Sequence, residues 1–186
     1  VPVLDSDRIS VEASAREAHT IRHLVPLGDL LMLTQLGEWR LFAVNSDAIT
    51  PSAVSIRPQS YVGSSTVRPI VANSSVLFCA ARGGHVRQMG YEASRSGFTT
   101  GDLSLRAAHL FDDLDVVSSS YQKSPAPVAW FVTSNGKLLG LTYVPEEQIA
   151  AWHQHDTDGT FESVACVSEG AEDRVYAVVK RTVNGV

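Results

Sequence analysis

The chain has 186 residues, 44% of them hydrophobic and 19% charged, an ordinary globular composition with room for one domain or part of a larger repetitive one. Its 15 basic residues stand against 20 acidic ones for a formal charge of -5, with no run of Lys and Arg. Nucleic acid is therefore not an expected ligand, because affinity for phosphate backbones rests on clustered cations, and no apolar run approaches the ~20 residues that cross a bilayer.

The N-terminal stretch Val1-Pro2-Val3-Leu4-Asp5 lacks both an initiating Met and the basic-then-apolar order of a secretory leader. The last stretch ends just after Asn184-Gly185, a turn signal, so the chain is expected to be an excised piece of a longer polypeptide.

Between these ends, short β-like stretches and hairpins alternate. Thr20–Val25 is followed by Leu30–Thr34, a turn at Gln35-Leu36-Gly37-Glu38, and a return strand over Trp39–Val44. Val67–Val71 precedes a second hairpin, Val76–Ala80 and His85–Tyr91 around Ala81-Arg82-Gly83-Gly84. Arg82-Gly83-Gly84-His85 has the look of an anion-binding glycine loop, yet such loops open a helix and this one opens a strand, so a hairpin turn is expected.

Asp102 could cap a short helix over Leu103–Phe111, where Leu103, Ala107, Leu110, Phe111 and Leu114 share one face. Val116–Tyr121 then precedes a third hairpin, Val128–Thr133 and Leu138–Tyr143. Its Asn135-Gly136 predicts a type I′ turn with φ > 0 at both residues.

His153-Gln154-His155-Asp156-Thr157-Asp158 is the one segment with the look of a metal cluster, since imidazole and carboxylate bind zinc and its neighbours. On a strand His153 and His155 share a face, but a third and fourth ligand would have to come from elsewhere. The expected reading is structural: Trp152 anchors an outer strand, Asp156-Thr157-Asp158-Gly159 turns away from it, and no metal is bound, with His153, His155 and Asp156 the residues to examine. Phe161–Val167 and Val175–Val179, followed by Asn184-Gly185, begin the pattern a fourth time.

Turn glycines recur at intervals of 46, 53 and 49 residues from Gly37 through Gly83 and Gly136 to Gly185. Radial sheet blades repeat at roughly 40–50 residues. The fold expected is mainly β, with antiparallel blade repeats of three or four strands, partial β-propeller-like, and one short inserted helix. The alternative is a β-sandwich with irregularly spaced hairpins. We expect a single β domain over 1–186, with blade-like units near 18–60, 64–100, 115–158 and 160–186.

No Gly-x-Ser-x-Gly elbow, Walker-type loop, His-Glu-x-x-His helix or Cys-x-x-Cys pair occurs, so no enzyme activity, catalytic residue or cofactor is expected. A carboxylate pair for glycoside cleavage is not legible in local spacing; Asp102, Asp112, Asp113, Glu146, Glu147 and Glu162 are expected to be surface charges. Cys79 and Cys166 each stand alone among apolar neighbours and read as small buried hydrophobes, which suits a reducing compartment. The aromatic residues Trp39, Trp130, Trp152, Tyr91, Tyr143 and Tyr176 are expected to pack on sheets.

Several blocks, in order, form a recognisable series: Leu30–Thr34 through Glu38-Trp39, Ile49-Thr50-Pro51 with Val54–Gln59, Tyr61–Ser65, and Val67-Arg68-Pro69. It continues with Val76-Leu77-Phe78 and Gly83-Gly84, Gly101–Ser104 with His109-Leu110-Phe111, and Trp152–Val164. The series resembles the propeller-bearing tail nozzle proteins of short-tailed phages and prophages, also called tail tubular protein B. Its specificity lies in the order of many blocks over nearly the whole chain.

The resemblance implies a virion structural protein, assembled in the host cytoplasm as a hexameric ring around the DNA exit channel of the tail. It implies contacts to an adaptor ring and to fibres, and it carries over no catalytic residues. This chain is far shorter than the family's members. The rival function is a propeller-based carbohydrate-binding or glycoside-cleaving module.

Overall fold

A computed structural model of the chain describes residues 4, 7–11, 17 and 19–183. Strands follow one another in up-and-down order. β1 (Ile21–Leu27), β2 (Asp29–Thr34), β3 (Glu38–Ala43) and β4 (Val54–Ser60) form the first antiparallel sheet. β5 (Ile70–Ala72), β6 (Ser75–Cys79), β7 (Val86–Glu92) and β8 (Gly97–Asp102) form the second. β9 (Val116–Gln122), β10 (Val128–Thr133), β11 (Leu138–Val144) and β12 (Ile149–His155) form the third, and β13 (Thr160–Glu169) with β14 (Glu172–Lys180) makes a hairpin.

The sheets stack face to face in chain order. Val25, Leu31 and Leu33 of the first sheet meet Val76, Phe78, Met89 and Phe98 of the second. On the second sheet's other face, Leu77, Cys79 and Val86 meet Ala129, Phe131, Leu139, Leu141 and Tyr143 of the third. Val132 and Leu138 then pack against Val164 of the hairpin.

A strand covered on both faces is expected to be largely apolar, and β6 is: all five of its residues are buried and only Ser75 is polar, with Val76 and Phe78 turned one way and Leu77 and Cys79 the other. Burying one such Phe or Leu side chain contributes ~2–3 kcal/mol. The architecture is thus mainly β and partially propeller-like. Each sheet holds only consecutive strands, unlike a sandwich of two crossed-over sheets, and the described strands do not close a ring.

Three local expectations need correcting. Leu105–Leu110 is a 3-10 segment broken at Ala107, not an α-helix, and Asp102 ends β8 rather than capping it. Between β10 and β11 only Gly136 has positive φ (77°), so Ser134-Asn135 makes an ordinary turn followed by a left-handed Gly, not type I′. The strand expected over Val67–Val71 begins at Ile70, because Pro69 has no N–H for a ladder. The Asn184-Gly185 turn and the Val1–Val3 end lie outside the described residues.

Outward faces close the stack at either end. On the first sheet Ile21 and Leu24 are exposed, and on the hairpin Val167, Tyr176 and Val178 are. The hairpin is tied to the β9–β10 turn by Asp173, whose Oδ2 accepts from the backbone N–H of Lys123 (2.6 Å) and Ser124 (3.2 Å). Those two donors hold the Asp173 carboxyl below its ordinary pKa.

Candidate functional site

Strand alternation puts His153 and His155 on one face of β12, and there the two rings meet, Nδ1 of His153 lying 2.9 Å from Nε2 of His155. Trp130 packs edge-on to His153, with ring centroids 5.5 Å apart. Gly140 on the neighbouring strand makes the space: a Cβ there would stand 2.1 Å from Cε1 of His153. Partial burial and the neighbouring ring both lower the pKa of His153.

Asp156 does not join the pair. Its Oδ1 takes Nζ of Lys137 at 2.7 Å and Nε2 of Gln154 at 3.0 Å, and these bonds lower its pKa. Among the described residues no three His, Cys, Asp or Glu side chains converge as a metal site would need.

Trp152, on the opposite face of β12, packs on Phe111 at 4.8 Å and Phe131 at 5.6 Å between ring centroids, and its Nε1 donates to the Leu103 carbonyl at 2.8 Å. It anchors the outer strand to the connector 103–115. The turn Arg82-Gly83-Gly84-His85 joins β6 to β7. Gly84 is required there, because a Cβ at its φ of 63° would stand 1.8 Å from the Leu114 carbonyl oxygen of that connector.

Asp102 is not the plain surface charge expected. It is half-buried, its Oδ2 lies 3.0 Å from Nδ1 of His85 and 3.4 Å from Nη1 of Arg87, and its Oδ1 accepts from the backbone N–H of Ser104. Cys79 is buried in the core, which pushes its thiol up to about 12. Cys166 is half-buried, and it too is raised by desolvation.

Two features between the first and second sheets escaped the sequence reading. The first is Glu38, fully buried and the one carboxylate so placed among the described residues. Ser60 Oγ donates to its Oε2, whereas Oε1 has no partner, and desolvation raises its pKa although Ser60, Val62, Gly63 and Arg87 pull the other way.

The second is a groove of about 410 Å³ between β4 and β8, lined by Arg40, Arg57 and Arg95. Arg40 Nε pairs with Asp29 at 2.5 Å, its Nη1 donates to the Ser96 carbonyl at 2.8 Å, and its guanidinium lies 4.3 Å over the Phe42 ring. These cations are far apart in the chain, so no run of basic residues announces them. Only the parity shared by Glu38, Arg40 and Phe42 on β3 hints that polar groups face inward there.

No family model matches the chain, and no curated protein matches it.

Proposed function

We propose that the chain is a structural component of a phage tail, a nozzle or tail-tube subunit acting through subunit contacts around a DNA exit channel. The observation that carries this reading is the stack itself, whose sheets follow chain order and whose two end faces bear exposed Ile21 and Leu24 at one side and Val167, Tyr176 and Val178 at the other. Apolar sheet faces of this kind favour a further layer against them. The ordered series of blocks that resembles the nozzle proteins supplies the second support.

Mechanism in such a protein is geometric. Sheets buried on both faces make stiff walls, and loops at their ends supply contacts to neighbouring subunits. Cyclic symmetry repeats one modest patch around the ring, so that weak pairwise contacts add up to a stable tube. Catalysis has no place in it.

Negative-stain imaging of the full-length polypeptide, with light scattering for mass, tests the proposal. Rings with an open centre are expected. Particles without a channel, or a monomer at every concentration, would reject it, and glycan-array binding with release of reducing sugar would move the assignment to the carbohydrate-module reading.

A further inference from the structure

The groove between β4 and β8 holds more positive charge than the fold uses. Arg40 and Arg57 are direct cross-strand partners in the β3–β4 ladder, a placement that sets like charges side by side and costs stability unless something offsets it. Asp29 offsets Arg40. Arg95, largely exposed, has a loose contact of 3.6 Å with Glu92. Arg57 has no carboxylate within ion-pair distance among the described residues; its guanidinium rests 5.5 Å over the same Phe42 ring that carries Arg40. All this occurs in a chain whose net charge is -5.

The groove is also held in shape without a ligand. Gln59 Oε1 accepts from the Phe98 backbone N–H across the two sheets at 2.7 Å, and the bond from Arg40 to the Ser96 carbonyl spans the same gap. Arg40 is fixed further by three aromatic rings, Phe42 at 4.3 Å, Tyr91 at 5.5 Å and Phe98 at 5.8 Å. A cation pinned in this way loses little freedom when an anion arrives, which is the condition for useful affinity from few contacts. Thr100 lines the same space and brings a hydroxyl donor.

We propose that this groove is a binding site for an oxyanion, a phosphate or carboxylate group borne on a ligand of about monosaccharide size, gripped by the guanidinium forks of Arg57 and Arg95 with Arg40 beneath. Planar guanidinium forks match the paired oxygens of both groups, and the volume of about 410 Å³ suits a small ligand better than a polymer. The site does not depend on the tail-tube reading, since it lies between two complete sheets of the same chain.

Calorimetric titration of the purified chain at about 0.15 M salt, where long-range attraction between exposed charges is screened, tests it. Probes are inorganic phosphate, glucose 6-phosphate, glucuronate and, as the uncharged control, glucose. Saturable binding of a charged probe with Kd on the order of 1 mM is expected, and none for glucose. Glucose 6-phosphate binding more tightly than glucuronate identifies phosphate as the group recognised, and the reverse order identifies carboxylate.

Arg57→Ala should weaken binding about tenfold, the loss of one charge-assisted fork, without lowering the melting temperature, because Arg57 is exposed and its removal relieves the like-charge pair with Arg40. Arg57→Lys keeps the charge without the fork and should fall between the two; it also serves as the variant to read if Arg57→Ala does not fold. Absence of saturable binding by every charged probe, or equal binding by native protein and the Arg57 variants, would overturn the site.

Discussion

The two interfaces between complete sheets begin alike and end differently. Near β1, β5 and β9 both are apolar, Val25 and Leu31 against Val76 and Phe78 in one, Leu77 and Cys79 against Ala129 and Phe131 in the other. Toward the outer strands, the interface between the second and third sheets is filled by the connector 103–115, whose Leu103, Leu110 and Phe111 lie under Trp152. Between the first and second sheets the shorter connector 61–69 supplies one apolar side chain to the core, Val62, and no aromatic ring. Arg40, Arg57 and Arg95 line that place instead, and a groove remains. Space between stacked sheets is either filled with side chains from a connector or left polar; this chain does each once.

The largest effect should come from pulling the plug. Phe111→Ala removes a fully buried ring from the filled interface and is expected to cost ~3–5 kcal/mol, measured by urea unfolding. A loss below ~1 kcal/mol would mean that the connector does not support the stack. Trp152→Phe keeps the ring against Phe111 but drops the bond to the Leu103 carbonyl, so ~1 kcal/mol is expected in the same assay.

At the polar interface the comparison is made with pH. The folded pKa of Glu38 is raised above its ordinary value, so its contribution to stability is fully present below about pH 4.5 and is lost as pH rises through the folded pKa. Glu38→Gln should flatten that fall and match or exceed the native protein at pH 7, by less than ~1 kcal/mol. A native stability that rises across this window with Glu38→Gln changing nothing would show the carboxylate to be solvated.

The smallest effect belongs to the imidazole pair on β12. Because the folded pKa of His153 is lowered, its contribution is present above about pH 6.5 and declines as pH falls toward the folded pKa. His153→Gln should remove that acid sensitivity and shift the melting temperature little at pH 8. Titration with zinc separates a metal role from a packing one: a melting temperature that rises with zinc in the native protein but not in His153→Gln would make the pair a ligand set.

Hairpin positions were legible because a two-residue alternation and a turn glycine are local signals. Ser134-Asn135-Gly136-Lys137 marks a turn whatever surrounds it, although its type was misread, since nothing in Asn135 itself forces a positive φ. Trp152 was read as an outer-strand anchor, and it is one. His153 and His155 were read onto one face for the same reason of period two. The 3-10 segment was read as a helix because Leu103, Ala107 and Leu110 keep helical spacing even where the backbone is broken at Ala107.

What the amino-acid order determined by itself was the mainly β character, the hairpins and their recurrence near 50 residues, since each depends on neighbours a few positions apart. Tertiary structure alone decided that Arg57 and Arg95 share a groove with Arg40, that Glu38 is sealed between sheets, and that Asp102 meets His85 and Arg87. Side chains on different sheets meet according to strand register and the angle of stacking, and those are set by the whole core rather than by any segment of it.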